Sequence, residues 1–146
     1  MIVNLLLIAV LAICALCDIK RRQLPLKVLL AGFLTGGGCR ILQSGLQCGL
    51  MANLCCGTLP GAALLAVSLC TRGAVGLGDA VLFMVSGVYL NFWENLLLML
   101  LSLMLAGLWG TGLLVTKKGS RKTTLPLAPF VLAAFAVLEV LKAMCR

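Results

Sequence analysis

The chain has no histidine, and only four of its 146 residues are acidic: Asp18, Asp79, Glu94 and Glu139. The first absence removes every catalytic arrangement that needs an imidazole, the Ser-His and Cys-His pairs and the HExxH zinc helix among them. The second leaves few carboxylates from which acid-base chemistry could be built. Charge is scarce overall, at 11% of residues, and aromatics reach only 5%, while 62% of the chain is hydrophobic. Ordinary soluble domains carry about a quarter charged and under half apolar residues. A soluble fold of this size could not hide so much apolar surface, so the excess belongs in lipid.

The net charge of +8 comes from clusters in the gaps between apolar stretches: Lys20, Arg21, Arg22 and Lys27, then Arg72, then Lys117, Lys118, Arg121 and Lys122. A nucleic-acid surface would need a basic face on a soluble fold with polar or aromatic partners, and no segment offers one. The eight cysteines lie mostly within or at the ends of apolar runs and read as buried thiols. A disulfide framework would need polar loops to staple, and Cys14-Ala-Leu-Cys17 has CxxC spacing without a second pair to complete a zinc site. Neither a metal nor an organic cofactor is expected.

Helices of about twenty residues cross about 30 Å of hydrocarbon, and lipid demands that backbone groups bond within their own segment. Six apolar runs meet or approach that length: Ile2 to Cys17, Leu26 to Leu42, Leu50 to Cys70, Asp79 to Leu90, Asn95 to Val115 and Leu125 to Cys145. The expected fold is therefore all-α, a polytopic transmembrane bundle of about six helices in one membrane-embedded domain over residues 1–146. The first run lacks the basic start of a cleaved signal, and its basic cluster follows it instead. Gly36-Gly37-Gly38 should loosen the second helix, Pro60-Gly61 should kink the third, and Gly107, Gly110 and Gly112 should let helices approach closely. The fourth run is short of a full span, so the glycine-rich stretch before Asp79 is expected to enter the membrane as a non-helical loop. Alternating the helices puts the loops Asp18 to Pro25, Thr71 to Leu77 and Thr116 to Thr124 on one side. Nine of the twelve basic residues fall on or beside it, which makes it the cytoplasmic face.

Of the four acids, Glu94 reads as a solvated residue of the polar turn Asn91 to Asn95, and Glu139 as the i, i+3 partner of Lys142. Asp18 and Asp79 remain, at the same predicted depth, where an ionisable group is costly unless solvated, paired or functional. Two neighbouring carboxylates cannot both ionise easily, so one keeps a proton while the other stays anionic. Such a pair offers a base for an attacking water and an acid for a peptide carbonyl. Each also has a structural reading. Asp18 could be a helix-end acid neutralised by Lys20, Arg21 and Arg22. Asp79 could be an N-cap whose helix dipole keeps it ionised. Gly76 and Gly78 are expected to supply backbone freedom to the loop ahead of Asp79.

Gly76-Leu77-Gly78-Asp79 matches the GxGD motif, and Asp18-Ile19-Lys20-Arg21-Arg22-Gln23-Leu24-Pro25 has an acid, basic residues and an apolar-Pro pair. With Leu125-Pro126-Leu127-Ala128-Pro129-Phe130 opening the last helix, the chain resembles the type IV prepilin peptidase family of GxGD aspartyl proteases. The resemblance runs from first helix to last. Its departures are Leu26 and Val81, where the family usually has Asn and often has Lys. The resemblance implies Asp18 and Asp79 as the catalytic pair, with Gly76, Gly78, Pro25 and Pro126 as loop or substrate-contact positions. It implies a bacterial inner-membrane enzyme whose catalytic face is cytoplasmic. Its partners would be prepilin or pseudopilin precursors, cut between a short basic leader and an apolar helix, and membrane lipid. Paired CxxC motifs of larger members, which accompany a methyltransferase activity, are missing, so a short peptidase-only form is expected. Two rivals stand beside it: a small proton- or ion-coupled transporter with the acids as relay groups near mid-membrane, and a non-catalytic pilus or secretion assembly subunit.

Overall fold

A computed structural model describes residues 2–21, 25–44, 48–71, 76–115 and 126–144. Among them run six helices and no strand: α1 (Ile2–Arg21), α2 (Leu26–Ser44), α3 (Cys48–Cys70), α4 (Leu77–Tyr89), α5 (Phe92–Val115) and α6 (Ala128–Met144). The chain is thus the all-α transmembrane bundle that its composition demands. Three segments, Val3–Lys20, Gly49–Cys70 and Phe92–Gly112, are long and apolar enough to cross a membrane. The 13 residues of α4 reach only about 20 Å and do not span.

Backbone chemistry sets the helix starts. The Pro25 carbonyl accepts from Val28 at 2.9 Å and Leu29 at 3.2 Å to open α2. Leu127 does the same for α6, accepting from Phe130 and Val131. Pro129 then falls in the first turn, where a missing N–H forfeits no helical bond. Leu90 and Asn91 alone separate α4 from α5, so α5 opens at Phe92, ahead of the expected Asn95.

In contact order the outer helices run α2, α1, α6, α5, α3, and α3 returns to α2. The short α4 packs inside, against α3 and α2 above all. Its Ala80, Leu82, Phe83, Val85, Val88 and Tyr89 are all buried, whereas Leu16, Leu34, Met104 and Leu108 of the surrounding helices are more than 60% exposed. Apolar residues facing outward in this way suit lipid and not water.

Close approach between α3 and α4 depends on glycine. A Cβ on Gly57 would collide with the Gly87 carbonyl, one on Gly61 with the Met84 amide, and one on Gly87 with the Gly57 carbonyl. Gly36 leaves room for the Tyr89 ring, 2.6 Å from where its Cβ would stand. By contrast, Gly107 and Gly112 have nothing within 4 Å of a Cβ, so the close packing expected of them is not found there. The triple glycine of α2 does not interrupt its helix, and Pro60 sits inside an α3 assigned as helix throughout.

Polar side chains tie the core. Asn95 is fully buried, donates to the Gly57 carbonyl at 2.8 Å and the Phe83 carbonyl at 3.0 Å, and accepts from Ser86 Oγ at 2.7 Å. It belongs to no solvated turn; it fastens α5 to α3 and α4. Tyr89 donates to the Gly32 carbonyl at 2.6 Å, and Arg40 Nη2 donates to the Tyr89 carbonyl, placing a cation at the C-terminal end of α4. Glu94 is likewise not a free loop acid, because it pairs with Lys142 at 2.8 Å. The expected Glu139 to Lys142 contact is present at 3.4 Å. Cys14 is buried, but Cys55, Cys56 and Cys70 are exposed, contrary to the expectation of buried thiols. Most of the basic loop residues used to orient the chain lie outside the described residues.

Candidate active site

Asp18 stands in the last turn of α1, 7% exposed. Its Oδ2 accepts a hydrogen bond of 3.1 Å from the backbone amide of Ala128, the first residue of α6. Lys20, two residues on, is exposed, and no described lysine or arginine side chain pairs with Asp18. Arg21 and Arg22, the remaining cations of the charge-neutralising reading, have side chains outside the described set.

Asp79 is in the first turn of α4 and is not its cap. The cap position belongs to Gly76, whose carbonyl accepts from Asp79 at 3.1 Å and Ala80 at 3.3 Å, and no side chain caps the helix. Asp79 therefore makes no capping bond, although its first-turn position still exposes it to the helix dipole. Its carboxyl is pushed up from 3.8 to about 6, first by burial and then by the charge of Asp18. The two aspartates, 61 positions apart in the chain, are therefore close enough for one to hinder ionisation of the other.

Gly76 has an extended backbone, φ −61° and ψ 125°, open to any residue. Its value is steric, for a Cβ there would stand 2.8 Å from Asp79 Oδ2. Gly78 lies within the first turn of α4, so the non-helical loop expected up to Asp79 ends at Gly76 or before. Residues 72–75 of that loop fall outside the described residues. Pro126 sits two residues ahead of the amide that binds Asp18. Pro25 opens α2 and has no described hydrogen bond to either aspartate.

Sequence reasoning missed the Ala128 amide, because a main-chain donor has no residue-type signature. The proline after it, in the first turn of a helix, is the one local sign of where α6 begins. Among the described residues no three His, Cys, Asp or Glu side chains gather as a metal site would require.

A helical membrane bundle in which burial and the charge of Asp18 together oppose ionisation of Asp79 defines a class of membrane protein with a carboxyl suited to acid-base chemistry. Residues 5–111 match the type IV leader peptidase family, and the chain belongs to it. Its role is in general that of a membrane leader peptidase, and prepilin-like proteins are the substrates the family implies. Neither a curated protein nor a solved structure matches the chain.

Proposed function

We propose that residues 1–146 form a single membrane-embedded aspartyl endopeptidase domain. It removes the basic leader from type IV prepilin-like precursors at the cytoplasmic face of a bacterial inner membrane. What supports this reading most is the leader peptidase family match over residues 5–111, together with Asp18, 7% exposed, opposing the ionisation of Asp79 by its charge, as aspartyl hydrolysis requires of its pair. The anionic carboxylate takes a proton from a water molecule as the water oxygen attacks the scissile carbonyl carbon. The protonated carboxyl gives its proton to the carbonyl oxygen. Collapse of the resulting diol passes a proton to the departing amine, the C–N bond breaks, and no covalent enzyme intermediate forms. The substrate's apolar helix would add affinity by packing in the bilayer beside the bundle, and the segment ahead of Asp79 could pair with the extended scissile strand.

The deciding experiment co-expresses the chain with a prepilin-like precursor. Asp18→Asn and Asp79→Asn should each abolish leader removal while the protein stays inserted at wild-type levels. Cleavage that survives either change refutes the pair.

A further inference from the structure

We propose that the N-terminus of α6 is the positioning element for Asp18, acting through the backbone amide of Ala128. The inference rests on the aspartyl peptidase reading and extends it to a segment beyond residue 111, where the family match ends.

The first amides of a helix have no acceptor within it. In α6 the set is unusually restricted. Pro129 has no N–H, and the amides of Phe130 and Val131 are both taken by the Leu127 carbonyl, at 2.9 and 3.1 Å. Ala128 is therefore the first-turn donor left over, and it is directed at Asp18 Oδ2, 3.1 Å away. Ala128 is 0% exposed and Asp18 7%, so water competes poorly for this bond. One carboxylate oxygen is thereby fixed.

The donor is itself held firmly. Val131, Ala134, Phe135 and Leu138 of α6 are buried in the same apolar cluster as Leu7, Leu11 and Cys14 of α1. At the far end Asn4 Nδ2 donates to Glu139 Oε2 at 3.1 Å, and Lys142 bridges to Glu94 on α5. Helix α6 is thus tied to α1 at both ends, and its register determines where the amide meets the carboxylate. A reacting group must keep its geometry within about half an ångström, and a donor built into a fixed helix end provides this without a mobile side chain.

Ala128→Pro is the direct test, since proline suits the first helical position but has no N–H. With purified enzyme in detergent and a precursor substrate, kcat should fall about 10- to 100-fold, the value of one hydrogen bond to a charged group. The ring Cδ takes the place of the N–H and also pushes against Asp18 Oδ2, so the fall is at least that large, while KM should stay near wild type. Ala128→Gly, which keeps the amide, should retain activity. A wild-type kcat in Ala128→Pro, or an equal loss in Ala128→Gly, would overturn the assignment. Because a proline ring could disturb this buried site, hydrogen exchange of the Ala128 amide gives a second measurement that needs no catalysis. The amide should exchange slowly in the unaltered protein and at least tenfold faster in Asp18→Ala. Equal exchange in the two rejects the bond. If Asp18→Asn retained cleavage the peptidase reading would fall, while the exchange result would still stand or fall by itself.

Discussion

Gly76→Ala separates the chemistry of the site from the stability of the fold. The added methyl would lie 2.8 Å from Asp79 Oδ2 and 3.5 Å from its Cγ, where ordinary contact begins near 3.4 Å. The carboxylate oxygen must therefore retreat by about 0.6 Å, the difference between 3.4 and 2.8 Å. The backbone at φ −61° and ψ 125° accepts alanine without strain, and Gly76 is exposed, so nothing else has to move. Replacing a glycine cap by alanine costs less than about 1 kcal/mol. Misplacing a reacting group by about 1 Å can cost about 100-fold in rate, so the smaller shift here should cost about tenfold or more in kcat. The assay is leader removal from a purified precursor followed by mobility shift over a range of substrate concentrations, alongside thermal unfolding by circular dichroism. Wild-type kcat in a folded Gly76→Ala protein would refute the argument. So would a loss confined to KM, since the carboxylate and not the binding surface is what the methyl displaces.

Three further outcomes test the fold and the electrostatics. Gly87→Ala should destabilise by about 2–3 kcal/mol, because its Cβ meets the Gly57 carbonyl and stands 2.8 Å from Asn95 Nδ2. Gly107→Ala, with nothing within 4 Å, should be neutral or stabilising in the same unfolding titration. Asn95→Leu leaves the Gly57 carbonyl and the Ser86 hydroxyl without this partner in a dry interior, and should lower stability by about 2–4 kcal/mol in the same measurement. The raised Asp79 means that folding favours its protonated form. The stability it contributes is fully present below pH 3.8 and is lost as pH rises through about 6. Melting temperature should accordingly fall across that window, and the fall should be smaller in Asp79→Asn, which cannot ionise.

Composition and spacing by themselves determined that this protein is an all-helical membrane bundle, because 62% apolar residues and 11% charged ones admit no soluble alternative. They also isolated Asp18 and Asp79, since a chain without histidine and with four acids leaves few groups able to move protons. The Glu139 to Lys142 contact was legible too, being local to one helix face. Long-range geometry was not legible. Glycine spacing along α5 looked like a packing stripe, yet the helices that touch backbone to backbone are α3 and α4, and which glycines face a partner depends on how the bundle closes. Asn95 and Glu94 looked like turn residues because their partners, Gly57 and Lys142, lie 38 and 48 positions away. The Ala128 amide is a main-chain group, and every residue but proline has one. Only the tertiary fold, by laying the start of α6 against the end of α1, aimed that particular N–H at Asp18.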